Sequence, residues 1–294
     1  IGWQFWLWLS AGTASGWPGG QVPFAERDYQ STVAGMLLAL ALGERLAAQL
    51  GGRPLLGNDV NWSMLAAGLL GDILLRTRNG TLASATMLGA AALIASRRSR
   101  RAMLLLLFAL ALGVASFAVD RRWTGLSESL ATGWSSPSRY WLNWDPAIAP
   151  STPSGAPLEE SAYARAAWAH QAVMAIGEQP LGTGFGRDGF GRAMEARYGV
   201  SGMVSSHSGI LDFTLGAGIP GVVLLLVTAG LAMRGGWRQY RQHDDPAGLM
   251  FSFLVGGYLL RCLVDGHFSG WRLGLFAFIC GVLIGSMKRE PQPT

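Results

Sequence analysis

Three settings in this sequence combine residue types that do chemistry. His207 lies in Ser205-Ser206-His207-Ser208-Gly209-Ile210-Leu211-Asp212-Phe213, and an imidazole there can take a proton near neutral pH. Arg76 and Arg78 flank Thr77 in Arg76-Thr77-Arg78-Asn79-Gly80. A guanidinium stays charged and grips phosphate with two parallel hydrogen bonds, so this turn reads as an anion clamp. Arg165 and Trp168 are three residues apart, neighbours on one helix face, and Arg165 reads as a second phosphate contact. Each has a plainer reading. The two arginines of the turn can snorkel to lipid headgroups. Arg165 can be solvated beside a packed tryptophan, and His207 can be a packed or interfacial histidine.

The remaining histidines offer less. His170 and His243 read as solvated. His267, two residues from Asp265, reads as interfacial, with a supporting role in a site as the alternative. Pro180-Leu181-Gly182-Thr183-Gly184-Phe185-Gly186-Arg187-Asp188-Gly189 contains a formal G-x-G-x-x-G at Gly184, Gly186 and Gly189. The dinucleotide fingerprint needs a preceding strand; here a helical pattern and a proline precede it, so tight packing at the membrane surface is the better account. No H-E-x-x-H, paired-cysteine or carboxylate-cluster pattern occurs, so no metal or other cofactor is called for. Cys262 and Cys280 both sit in apolar segments and read as small apolar fillers.

The elements that must position these residues are membrane spans. Half of the 294 residues are hydrophobic and 14% are charged, against about 25% in a soluble domain, and the mean hydropathy is +0.28. The apolar residues come in blocks long enough for a bilayer. Spans are expected at roughly 30–50, 61–76, 81–97, 102–119, 219–234, 247–264 and 270–287, after a partial, tryptophan-rich one at Ile1–Gly12. Glu44 and Arg45 interrupt the span at 30–50, and Asp72 sits inside the next. The chain opens with Ile within an apolar stretch, without a charged leader or a cleavage site. Upstream sequence is therefore expected.

The net charge of +5 does not suggest nucleic acid, because the arginines sit at the ends of apolar runs, where they set topology. Arg97, Arg98, Arg100 and Arg101, then Arg234, Arg238 and Arg241, then Lys288 and Arg289 mark the cytoplasmic face. Residues 13–29, the Arg76–Gly80 turn, residues 120–206 and the Asp265–Trp271 turn then lie outside. The long outer loop holds 7 Arg against 8 Asp or Glu, so it carries no positive excess. Its residues 123–157 read as irregular. Its residues 158–178 read as a helix, with Leu158, Ala162, Arg165, Trp168, Ala169, Ala172 and Ile176 at helical spacing. Gly218, Pro220 and Gly221 mark a break before the following span. The expected architecture is all-α: a polytopic transmembrane bundle (1–119 and 207–294) with a large, partly helical outer loop (120–206).

The order of these motifs resembles the O-antigen ligase and O-antigen polymerase superfamily. The matching stretches are Thr77-Arg78-Asn79-Gly80, Arg165-Ala166-Ala167-Trp168, Pro180 to Gly186, and Ser206-His207-Ser208 through Gly218-Ile219-Pro220-Gly221. With the spans, the resemblance covers nearly the whole chain, although family members have more spans. It implies a multi-pass glycosyltransferase of the bacterial inner membrane with its site facing the periplasm, and hence a periplasmic outer loop. The implied donor is an undecaprenyl-diphosphate-linked glycan. The acceptor is lipid A–core in a ligase, or a carrier-linked glycan in a polymerase, and a protein-glycosylating relative is a further possibility. His207 matches the catalytic histidine, and Arg78 and Arg165 match the diphosphate-binding arginines. Arg76, Trp168, Asp265 and Arg272 are possible supporting residues. Membrane lipids are the remaining partner, and no metal is implied. A transporter for a charged lipid would also need arginines facing a cavity, but the large outer loop with His207 at its exit speaks against it.

Overall fold

The computed structural model describes residues 27–75, 77–96, 104, 125–184, 188–268 and 270–287. Every regular element among them is helical. The α-helices are α1 (Arg27–Gln49), α2 (Asn58–Leu75), α3 (Arg78–Ser96), α4 (Leu126–Ser135), α5 (Tyr140–Asn143), α6 (Glu160–Glu178), α7 (Gly189–Tyr198), α8 (Gly209–His243), α9 (Pro246–Val264) and α10 (Gly270–Ser286). Among the described residues three helices are long and apolar enough to cross a membrane: Tyr29–Gln49, Gly209–His243 and Pro246–Val264. The apolar Gly270–Ser286 is slightly shorter. Helices α2 and α3 fall at two further expected spans. The expected span at 102–119, the partial one at Ile1–Gly12 and the basic turn at Arg97–Arg101 lie outside the described residues, Leu104 excepted. This is an all-helical membrane protein.

The chain divides into two compact units. One comprises Ile1–Leu110, Thr228–Arg261 and Gly270–Thr294; the other comprises Ala111–Val227 and Cys262–Ser269.

In the first unit α1 packs against α2 and α3. Lipid supplies no hydrophobic drive between helices, so close approach of small residues must hold them. A Cβ on Gly68 of α2 would lie 2.7 Å from Leu38 Cβ, and one on Gly43 of α1 would lie 2.5 Å from Met250 Cα. Glu44 does not break α1. Its carboxylate is 2% exposed; it accepts from the Leu56 backbone N–H and from Asn61 Nδ2 at 3.4 Å. Asn61 also donates to Ala41 O at 3.2 Å. Burying a carboxylate requires such partners, and here they lie in the turn after α1 and on α2. Arg45 leaves the apolar face, its guanidinium 3.9 Å over the Trp62 ring.

The second unit gathers Tyr140, Trp141, Tyr163, Ala167, Ala172, Ala175, Phe190, Met194 and Leu215 into one core. The region 123–157, expected to be irregular, contains α4, α5 and a 3₁₀ turn at Pro146–Ile148. Helix α4 lies so close to α6 that any side chain at Gly133 would overlap the Tyr163 carbonyl. Trp134 stacks on His170 at 4.9 Å, so His170 is half-buried rather than solvated. Tyr140 Oη donates to Glu160 at 3.2 Å. Burial, followed by that bond, raises the phenol above its ordinary pKa and keeps it a neutral donor. Glu159 caps α6 by accepting from Ala162 N–H at 2.7 Å.

Helix α8 breaks where the sequence predicts, at Gly218 (φ 74°, ψ 176°), two residues before Pro220. Pro220 has no N–H, so the Gly216 carbonyl loses its helical partner. The glycine-rich turn replaces it. Gly184 N–H donates to Gly216 O at 3.1 Å, Thr183 N–H donates to Leu215 O at 2.8 Å, and Ile219 N–H donates to Pro180 O at 2.8 Å. Gly182 (φ +83°) admits no side chain against Gly216 O, and Gly218 (φ +74°) admits none against Leu181. Gly218→Ala is therefore expected to cost about 1–3 kcal/mol, the scale of an enforced sparse backbone conformation. Gly230→Ala, where nothing lies within 4 Å of the added Cβ, should be close to neutral. Thermal unfolding of the two variants in the same detergent checks the contrast.

Candidate functional site

The second unit brings together residues from three stretches of chain. Helix α6 presents Arg165 and, one turn on, Trp168. Arg165 Nη1 donates to Val264 O at 3.2 Å, at the C-terminal end of α9, where helix carbonyls favour a cation. The same nitrogen is 3.9 Å from Asp265 Oδ1, and about a third of the Arg165 side chain remains exposed. The guanidinium is thus oriented on one edge while keeping donors open to solvent.

His207 sits on the segment between α7 and α8. Its imidazole stacks on Trp168 with ring centroids 5.1 Å apart and planes 14° from parallel. The residue is exposed, and its backbone is left-handed at φ 58°. That conformation is uncommon for a residue with a Cβ, so the surroundings must enforce it. Asp212, in the first turn of α8, does so. Its Oδ2 accepts from Ser205 Oγ at 2.7 Å and its Oδ1 accepts from Ser206 N–H at 2.9 Å. Ser205 Oγ in turn accepts from His207 N–H at 3.0 Å. Ser206 and Ser208 close the other side: Ser208 N–H donates to Ser206 Oγ at 3.2 Å. The carboxylate, placed where a helix N-terminus favours negative charge, fixes the loop that aims His207.

Asp265 belongs to the same cluster through its backbone too, since Gly209 N–H, which opens α8, donates to Asp265 O at 3.0 Å. His267 is 1% exposed; it is buried rather than interfacial. Nε1 of Trp168 is buried without a hydrogen-bond partner among the described residues.

The other expected site residues lie in the first unit. Arg78 is the first residue of α3, and its side chain and all of Arg76 lie outside the described residues. Just before it, Thr77 is buried, its hydroxyl 2.8 Å from Ser31 Oγ. Arg261, 4% exposed, donates to the same Ser31 at 3.1 Å. The place where α3 starts is thus fixed by a buried polar chain. Arg272 lies with its guanidinium 5.3 Å over the Tyr29 ring.

Asp212 and Arg261 were missed in the sequence reading. A carboxylate in the first turn of a helix is a visible signal for Asp212. An arginine inside an apolar run is one for Arg261. What each holds is visible only in the fold. Among the described residues no three His, Cys, Asp or Glu are grouped to hold a metal ion.

An exposed imidazole on an aromatic platform, beside a fixed and partly open guanidinium, defines a membrane protein with a candidate acid–base site. A family model described as O-antigen ligase matches residues 63–226, more than half of the chain and inclusive of Arg78, Arg165 and His207. The chain belongs to the O-antigen ligase family. Comparison with curated proteins finds no match. Membership implies a ligase- or polymerase-type glycan transferase, with lipid-linked glycan and acceptor as its substrates.

If Asp212 fixes the His207 loop, Asp212→Ala should speed amide exchange of Ser206 and His207 by about tenfold or more, since removing a charged acceptor costs about 1–3 kcal/mol. Exchange within α6 should stay as it was. Mass-spectrometric hydrogen exchange on the full chain reads both, and unchanged protection of residues 205–208 would sink the assignment.

Proposed function

We propose that this protein transfers a glycan from undecaprenyl diphosphate to lipid A–core at the periplasmic face of the bacterial inner membrane. The observation that carries the site is His207, exposed and strained, stacked on Trp168 one helical turn from Arg165. His207 takes the proton of the acceptor hydroxyl. That oxygen attacks the anomeric carbon from the face opposite the leaving group, and the bond from that carbon to the diphosphate oxygen breaks. The electron pair leaves with the carrier diphosphate, and the sugar centre inverts. The proton remains on the imidazole, which stacking and the strained backbone hold in place.

Charge developing on the diphosphate is stabilised by Arg165 and Arg78. Two guanidinium groups, permanently charged and planar, supply this stabilisation without a metal ion. Arg76 and Arg272 are assigned no separate step. Asp265, 3.9 Å from Arg165 Nη1, orients it, and Trp168 carries the imidazole.

With purified full-length protein and a carrier-linked glycan, His207→Ala should slow transfer by about 10²–10⁴-fold, the usual contribution of a positioned general base, without lowering the unfolding temperature. Full activity in the folded variant would remove His207 from the reaction. Arg165→Lys keeps the charge but loses the planar fork, and kcat/KM should fall by about tenfold or more. Chelator should leave the wild-type rate unchanged. When lipid A–core and a second carrier-linked glycan are offered together, product on lipid A–core supports the ligase reading. Lengthened carrier-linked chains would instead make the enzyme a polymerase.

A further inference from the structure

A second feature of the loop unit has no part in the proposed transfer step. A cavity of about 510 Å³ opens between the end of α6, helix α7 and the first segment of α8. Its volume falls within the range of small-molecule sites. Its apolar lining is Ala175, Ala193, Ala196 and Leu215, and its polar lining is Glu178, Gln179, Thr183, Arg192 and Arg197. Three of the four apolar lining residues are alanines, whose short side chains leave room in the hollow.

Both arginines come from one helix; Arg197 also lies 5.7 Å over the Tyr198 ring. Arg192 donates to Gly184 O at 3.0 Å. Arg197 lies 3.4 Å from Glu178 Oε1. A guanidinium has five N–H donors in a fixed fork, so each retains donors for a ligand. Two cations against one carboxylate leave the lining with a net positive charge. Gln179 adds a neutral polar side chain suited to sugar hydroxyls, and Thr183 Oγ1, which donates to Leu215 O at 3.1 Å, can still accept from one.

The cavity is also in register with the site. Ala175 lies seven residues beyond Trp168, two turns along the same face of α6, or about 10 Å. Leu215 lies one turn beyond Asp212 on α8, the residue that fixes the His207 loop. That separation is on the scale of a few sugar units, so one glycan could touch both places, although the α6 face directly between them is core at Ala172.

We infer that this cavity binds a sugar unit bearing a negatively charged substituent, a phosphate or a carboxylate, within the glycan that the enzyme handles. The placement of that sugar on a reacting glycan rests on the transferase reading; the binding of an anionic sugar does not. Arg192 and Arg197 grip the anionic group, and Gln179 and Thr183 take hydroxyls. Glu178 orients Arg197 and at the same time limits affinity through its own charge.

The first test is saturation-transfer NMR on the full-length protein in detergent, with glucose 6-phosphate, glucuronate and glucose as probes. Glucose 6-phosphate and glucuronate should bind more tightly than glucose. The Arg192→Gln/Arg197→Gln double variant should weaken them by about tenfold, as expected for lost charge-assisted hydrogen bonds. Glu178→Gln should tighten them, and Ala196→Trp should block them by filling the hollow. Equal binding of glucose and glucose 6-phosphate, or anion binding unmoved by the double variant, overturns the inference. Transfer assays then locate the charged sugar. Native and phosphatase-treated lipid A–core are compared as acceptors, and acidic and neutral glycans as donors. The double variant should raise KM only for the partner carrying the charge, leaving kcat unchanged. Anion binding with no change in either KM would overturn its placement on the glycan. Wild-type protein that binds the probes but transfers nothing would sink the transferase reading and leave the site standing.

Discussion

The loop unit depends on one backbone problem and its solution. Pro220 cannot donate a hydrogen bond, and Gly218 turns the chain out of helical geometry, so the carbonyls of Leu215 and Gly216 lose their partners inside α8. An unpaired carbonyl away from water costs several kcal/mol in an apolar medium, about the scale of a whole side-chain interaction. The turn at Pro180–Gly184 meets that need with its own N–H groups. It can come close enough because Gly182 and Gly218 have no side chains. The two glycine- and proline-rich motifs, far apart in sequence, are therefore halves of one structure. Joining them ties the end of α6 to the start of α8.

The proposed chemistry follows from that tie. Helix α6 carries Arg165 and Trp168, and the start of α8 carries Asp212. Once these two helices are held together, the segment between α7 and α8 must run back between them. Asp212 then takes hold of Ser205 and Ser206, and His207 is forced into a left-handed backbone with its ring on Trp168. A general base works best when its position is settled before substrate arrives, and here the cost of settling it is borne by the fold. The same tie leaves Leu215 and Thr183 at the edge of the arginine-lined hollow, so site and hollow share one support.

Much of this was legible in the sequence, for identifiable reasons. The α6 helix announces itself through apolar spacing and an acidic start, and the break in α8 through Gly218 and Pro220. Membrane spans are visible because bilayer thickness imposes their length. Helix α4 was not visible. Its sequence, Leu-Ser-Glu-Ser-Leu-Ala-Thr-Gly-Trp-Ser, has weak helix propensity, and what holds it is the contact between Gly133 and α6. Helix α7 begins Gly-Phe-Gly and was hidden within a glycine-rich stretch, although Phe190 and Met194, four residues apart, are both fully buried. Asp212 could be seen as a first-turn acid but not as the anchor of a loop. His267 could be placed beside Asp265 but not recognised as buried. Local pattern reveals elements; it does not reveal which side chain meets which.

The arginines show the same limit in its sharpest form. Arg165 and Arg261 are both arginines bordered by small or apolar residues, and sequence alone cannot divide them by role. Exposure and hydrogen bonding can. Arg261 is almost fully buried and engages Ser31, whose hydroxyl meets Thr77. Enclosed in this way, its guanidinium is engaged in holding the Ser31–Thr77 pair. What it steadies is the residue immediately before Arg78. Arg165 instead has one direct bond, to a carbonyl at 3.2 Å, and a carboxylate held at 3.9 Å, beyond hydrogen-bonding distance. A guanidinium in that state, about a third exposed, has donors that a phosphate can engage without breaking a buried contact, while the Asp265 carboxylate at 3.9 Å offsets part of its charge. Of the two, only Arg165 is in a condition to bind an anion that arrives and must later leave.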